Sequence, residues 1–292
     1  MTTRASISQH TVRLVTTVAQ QLVLYLILIC GAIIVLFPFY WMLSTSLKPP
    51  SEIVTYPIKW IPSRLIWSNY PRAINAFPVS MWVLLKNSVV LSALVTVGSV
   101  LTSAFVAYPF ARLRFRSRRP LFFVILAPMM IPGQITMIPL FILFSRLHWV
   151  NTFLPLIVPS YFGDAYFIFL LRQFFATIPK EMDDAAKIDG CGPYSIFFRM
   201  ILPMSGPALG VTAIFSFTGM WNAFMGPLIY LNEMEKFPLA LGLRAFQAAG
   251  SGVIQWEYMM AVSVLMTVPM LVLFFITQRS YIQGIVITGV KG

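Results

Sequence analysis

Side-chain chemistry has few places to reside in this 292-residue chain, which holds two histidines, two cysteines and nine carboxylates. His10 and His148 lie too far apart to seed a metal cluster, and neither Cys30 nor Cys191 has a CxxC partner. A zinc site or disulfide framework is therefore not expected. No nucleophile–base pair is identifiable, so no catalytic residue is assigned. A phosphate loop of the form G-x-x-x-x-G-K-S/T is missing, and the chain has no Gly-Lys pair at all. Any ATP dependence must come from another polypeptide.

What remains is a set of placed polar groups. The run Ile178-Pro179-Lys180-Glu181-Met182-Asp183-Asp184-Ala185-Ala186-Lys187-Ile188-Asp189-Gly190 reads as a short helix. Pro179 suits its first turn, Glu181, Asp183 and Asp184 complement the positive end of its dipole, and Gly190 suits its C-terminal stop. After Gly192-Pro193, a second helix places Tyr194, Phe197, Phe198, Ile201 and Leu202 on one face, and Pro203 closes it. The small Ala185-Ala186 pair would let another protein's backbone approach closely. Alternatively, the helix pair lies on lipid or caps its own bundle.

Asp164 and Arg172 interrupt an otherwise apolar segment, where a charge costs about 2.5–3.5 kcal/mol at the centre of a span. Pro159 and Gly163 could break that helix, leaving Asp164 to cap its second half or to meet a solute hydroxyl. Arg172 is expected to snorkel to the headgroups. Trp221 and Asn222 are pathway candidates, since an aromatic ring packs on a sugar face and an amide both donates and accepts. The alternative for Asn222 is an interhelical hydrogen bond.

The elements that must position these groups are membrane helices. Hydrophobic residues make up 58% of the chain and charged ones 10%, against about 25% charged in soluble domains. Six apolar stretches reach the roughly 20 residues needed to span a bilayer. They lie at about 21–43, 83–111, 119–145, 153–176, 205–231 and 258–280. The fold class is thus all-α, a polytopic bundle of six transmembrane helices in a single domain, 1–292, with a helix pair in the loop 177–204. Pro128, Pro132, Gly133 and Pro139 should kink the third span. The net charge of +12 would suggest nucleic acid in a soluble protein; in so apolar a chain it marks cytoplasmic loops, and no nucleic-acid partner is expected. The loop Arg112-Leu113-Arg114-Phe115-Arg116-Ser117-Arg118-Arg119 decides the orientation. It places both termini and the loop 177–204 in the cytoplasm, with 44–82 and 232–257 outside. A secondary transporter would want more intramembrane ionisable groups than Asp164 and Arg172.

The loop resembles the "EAA" loop of ATP-binding-cassette importer permeases. That pattern is E-A-A, three residues, G, nine residues, I-x-L-P; this chain has Asp184-Ala185-Ala186, Gly190 and Met200-Ile201-Leu202-Pro203 at the same spacing. It departs in Asp184 for Glu and Met200 for Ile. Thr45-Ser46-Leu47-Lys48-Pro49, Asn87-Ser88, Tyr108-Pro109-Phe110-Ala111-Arg112, Met130-Ile131-Pro132-Gly133, Trp221-Asn222-Ala223-Phe224, Phe237-Pro238-Leu239 and the tail Gly289-Val290-Lys291-Gly292 resemble the carbohydrate branch. More narrowly, they look like the second permease type of the maltose and glycerol-phosphate group. The resemblance implies a subunit in a bacterial or archaeal cell membrane, working with a second, different permease, two ATPase subunits that hold ATP and Mg, and an extracytoplasmic sugar-binding protein. It implies a coupling contact made by Asp184, Ala185, Ala186, Asp189 and Gly190, with Leu202 and Pro203 anchoring the second helix. It also makes Phe237, Leu243, Arg244 and Phe246 candidates for touching the binding protein.

Overall fold

The computed structural model describes residues 2–76, 79–249 and 255–289, with side chains over 17–76, 79–244 and 255–277. In chain order the helices are α1 (Thr2–Ser46), α2 (Asn69–Ala76), α3 (Met81–Arg112), α4 (Arg118–Leu126), α5 (Gly133–Arg146), α6 (Leu154–Ile157) and α7 (Ala165–Thr177). They continue with α8 (Lys180–Ile188), α9 (Pro193–Ile196), α10 (Leu202–Met204), α11 (Gly206–Trp221), α12 (Met225–Tyr230), α13 (Leu239–Ala249) and α14 (Trp256–Gly289). No strand occurs among the described residues. Four of these helical stretches are by themselves long and apolar enough to cross a membrane, and up to six if two bent pairs each count as one span.

The first of the bent pairs falls in the third span, where Pro132 and Gly133 were expected to kink it. Arg118–Met130 and Gly133–Arg146 meet at 95°. Pro132 forces the preceding Ile131 into extended backbone (φ −96, ψ 118) and contributes no N–H, so the helix stops there. Pro139, by contrast, is absorbed inside α5. The fifth span is not one helix over 205–231 either. Its α11 ends at Trp221, α12 starts afresh at Met225, and the preceding Pro193–Met204 segment joins α11 at 77°.

The chain divides into two compact units, Met1–Ala73 with Gln255–Val264, and Ile74–Ile254 with Leu265–Gly292. In the first, α1 is exposed along the apolar run from Val18 to Phe39, as a lipid-facing helix must be. The loop after α1 is built around polar anchors. Asn69 Nδ2 donates to the carbonyls of Ser46 (2.9 Å) and Lys48 (3.0 Å), and Lys48 Nζ lies 4.0 Å from the Trp41 ring centre.

In the second unit α3 is the central element. Its buried face carries Gly98, Ser99, Ser103, Ala104, Ala107 and Ala111, small side chains that let α7 and α11 approach closely. Gly98 illustrates the constraint: a Cβ there would stand 2.6 Å from Ser160 Oγ and from the Tyr161 ring. The core around the Arg112 end of α3 combines Tyr108 and Ala111 with Leu171 and Phe175 of α7, Ala186 of α8, and Ile196 and Ile201 beyond it. With 32 residues, α3 is about 48 Å long, more than the roughly 30 Å hydrocarbon thickness.

Candidate functional site

Helix α8 forms where the sequence predicts it and closes with a Schellman motif. Cys191 N–H donates to Ala186 O (2.9 Å) and Gly190 N–H to Lys187 O (3.0 Å), with Gly190 at φ +78. A side chain at Gly190 would meet no atom within 4 Å, so the glycine is required by its backbone angle alone.

One face of α8 is buried and the other open. Asp183 and Ala186 are buried, whereas Asp184, Ala185, Ile188, Asp189 and Gly190 are exposed, Ile188 by 87%. The alanine pair is therefore divided: Ala186 packs in the chain's own core, and only Ala185 is open to a partner. Asp184 pairs with Lys187 one turn on (2.9 Å). The Lys187 hydrogen bond first, and its charge second, hold the Asp184 carboxyl below its ordinary value, with smaller help from Arg114 and Arg112.

The second helix differs from the expected face. Phe197–Ile201 is a π-helical turn between α9 and α10, and the wider turn changes which side chains line up. Ile196, Phe197 and Ile201 are buried, while Tyr194 and Phe198 point out at 70% and 56% exposure. Leu202 is half-buried and Pro203 exposed, both in the short α10 just before the 77° bend.

What holds α8 in place was not readable from the sequence. Arg112, the last residue of α3, forks onto Asp183 through Nε to Oδ2 (2.8 Å) and Nη2 to Oδ1 (2.7 Å). Its remaining N–H groups donate to the carbonyls of Phe175 (3.2 Å), Ile178 (2.6 Å) and Pro179 (2.9 Å). All five guanidinium donors are thus used, in a side chain only 1% exposed. The pair spans 71 residues, so no local signal could have found it.

Asp164 is the N-cap of α7. Its Oδ1 accepts from the N–H groups of Tyr166 (2.9 Å) and Phe167 (3.1 Å), after Gly163 turns the chain at φ +87. Its own N–H donates to Ser103 Oγ of α3 (3.1 Å). Arg172 Nε donates to Phe110 O (3.2 Å), the carbonyl that Arg118 Nε also binds near the Arg112 end of α3, and its guanidinium lies 4.4 Å from the Phe122 ring centre. Trp221 and Asn222 face apart. Trp221 is 1% exposed and stacks on Phe217, which removes it from contact with a solute in this conformation. Asn222 is exposed and donates within its own helix, to Thr218 O (2.9 Å).

A cavity of about 530 Å³ lies elsewhere, between Thr102 and Phe105 of α3, Tyr161 and Phe162 of the helix break, and Phe198 of the π-helical turn. None of Asp164, Trp221 and Asn222 lines it. Its walls are mostly apolar.

The segment 232–244 is tied down at several points. Asn87 Nδ2 of α3 donates to the carbonyls of Glu235 (2.7 Å) and Phe237 (3.1 Å), and Leu239 N–H donates to Ser88 Oγ (2.7 Å). Asn151 Nδ2 donates to Glu233 (2.6 Å), which also pairs with Lys236 (2.9 Å). These two contacts, Lys236 first, hold the Glu233 carboxyl below its ordinary value. Phe237 and Leu243 are half-buried and Arg244 is exposed; the Phe246 side chain lies outside the described residues.

Residues 95–286 match the family described as binding-protein-dependent transport system inner membrane component. The chain belongs to this family. Among its relatives is the arabinooligosaccharides transport system permease protein AraQ of Halalkalibacterium halodurans, 35% identical over 89% of this chain and 93% of that protein. Another is the sn-glycerol-3-phosphate transport system permease protein UgpE of Pectobacterium atrosepticum, 30% identical over 90% and 94%. In structure it resembles a bacterial ABC transporter involved in import of the acidic polysaccharide alginate, at TM-score 0.79 and 20% identity, covering 90% of this chain and 97% of the other. The chain is a multi-pass permease component of an ABC importer, and such a component works with ATPase and solute-binding partners.

Proposed function

We propose that this permease is one half of a heterodimeric pathway that imports a sugar or oligosaccharide delivered by an extracytoplasmic binding protein. Two separate ATPase subunits hold ATP and Mg and supply the energy. The solute class comes from the relatives, whose names include arabinooligosaccharides and glycerol 3-phosphate. The observation that carries the coupling role is the two-sided α8, which is fixed on one face by Arg112 and open on the other along Asp184, Ala185 and Ile188.

In this reading both termini and the loop 177–204 are cytoplasmic, and the open face of α8 seats on an ATPase subunit. Asp189 and Gly190, also exposed, extend that face, Ala186 packs behind it, and Leu202 and Pro203 lead from it into the bend. ATP-driven closure of the two ATPases moves α8 and turns the pathway outward; hydrolysis resets it. The segment 232–244, with Phe237, Leu243, Arg244 and Phe246, faces the binding protein. Asp164 acts through the cap it forms, and the exposed Asn222 remains available to solute hydroxyls.

A mild-detergent pull-down of the tagged chain from its native membrane tests the assignment. Recovery of an ATPase, a second permease and a solute-binding protein is the expected outcome. A chain that comes down alone, from a lysate in which those partners are expressed, overturns it.

A further inference from the structure

We infer that α3 is the rod that carries the displacement of α8 across the membrane, with Arg112–Asp183 as its cytoplasmic joint and Asn87–Ser88 as its external one. This rests on the importer reading given above. If α8 were free to swing, its hinge would be the Ile178-Pro179 link between α7 and α8. Arg112 binds both carbonyls of that link, at 2.6 and 2.9 Å, together with the Asp183 carboxylate inside α8. The hinge is thereby locked to the end of α3, so α8 cannot move without drawing α3 with it.

Helix α3 is attached by polar contacts at two further levels. Near its middle, Ser103 Oγ receives the Asp164 N–H at the start of α7, and Gly98 admits Ser160 and Tyr161 of the preceding break. At its far end, Asn87 and Ser88 hold Glu235, Phe237 and Leu239 through main-chain groups at 2.7 to 3.1 Å. One continuous helix thus joins the proposed ATPase contact, the break in the fourth span and the proposed binding-protein contact. Rigid secondary elements with such end attachments are the physical carriers of coupling between distant sites, and mutations along them shift coupling by about 2- to 30-fold.

The test uses the complete complex from its own membrane, in proteoliposomes, with Cys30 and Cys191 replaced and Met234→Cys as reporter beside the external joint. The probe is the labelling rate by a membrane-impermeant maleimide, in ATP alone against ATP with vanadate. The parent complex should change its rate on trapping. Asp183→Asn preserves the shape of the side chain and leaves Arg112 its three carbonyls, and should reduce that change by about 2- to 30-fold. Asp183→Glu, which restores a carboxylate, should recover part of it. A full response in Asp183→Asn overturns the inference while the importer reading stands. A parent complex without ATPase activity or any nucleotide-dependent labelling overturns both. Should Asp183→Asn fail to assemble, Asn87→Ala leaves the joint at α8 intact. It should lower stimulation of ATP hydrolysis by the binding protein while basal hydrolysis holds, and unchanged stimulation overturns the inference.

Discussion

Two buried carboxylates, Asp183 and Glu52, each hold a basic partner, yet they do different work. Glu52 accepts from Lys59 Nζ (2.8 Å), Ser63 N–H (3.1 Å) and Ser63 Oγ, all within 11 residues along the loop that follows α1. Lys59 is half exposed, and the arrangement closes one loop on itself. Asp183 instead meets a fully buried arginine 71 residues away, whose other donors bind the end of α7. A local staple shapes a loop, whereas a distant pair fixes how helices stand against one another. Losing the first should disturb one segment; losing the second should disturb every element it joins.

The sharpest way to break this comparison is Asp183→Ala. Removing one partner of a buried ion pair leaves the Arg112 charge uncompensated and costs about 3–5 kcal/mol. The purified complex should show a clearly lowered melting temperature, whereas Glu52→Gln should raise protease cleavage only in the loop after α1. Equal global losses from the two variants would erase the distinction.

Next in size is Gly190→Val. A side chain in the left-handed region costs about 1–2 kcal/mol, and a β-branched one lies at the upper end. Membrane insertion should be retained and solute uptake lost, measured as transport against the amount of inserted protein. Unchanged uptake would count against α8 as the coupling element.

Acid offers a gentler test. Hydrogen bonds from Lys59, and then from Ser63, lower the Glu52 carboxyl from its ordinary 4.5 to about 2. Its folded value is depressed, so its stabilisation is complete above the ordinary value and is lost as pH falls towards about 2. Hydrogen exchange in the loop after α1 should accelerate over that window in the parent chain and show no such step in Glu52→Gln.

The smallest stability effect is expected for Asp184→Asn. Its partnership with Lys187 is exposed on both sides, and such pairs contribute little. The melting temperature should be unchanged, while ATP hydrolysis stimulated by the binding protein should fall, because the residue lies on the open face of α8. A variant altered in neither respect would remove Asp184 from the contact.

Several of these features were legible in the residues themselves. The first turn of α8, its glycine stop and the Asp164 cap are local events within a few residues, decided by backbone preference and short hydrogen bonds. The bend at Ile131-Pro132 was legible for the same reason. Less legible was which alanine of the pair would be open, because helical spacing assigns faces only when the neighbour is known. The π turn at Phe197–Ile201 moved Tyr194 and Phe198 out of the face that regular spacing assigned them. That Trp221 is buried and Asn222 exposed was not legible for a related reason: adjacent residues of a helix end diverge, and the one that is buried is chosen by packing.

The sequence by itself determined that this chain lives in a membrane, that its apolar segments are helical, and that the motif around Gly190 forms a capped helix. Composition and local backbone energetics suffice for each. Only the tertiary structure decided that Arg112 closes on Asp183, that α3 is tied at both ends and near its middle, and that Arg172 lies over the Phe122 ring. A buried charge must find a partner wherever the fold places one, and over 71 residues only the packing of α3 against α7 and α8 brings these two together.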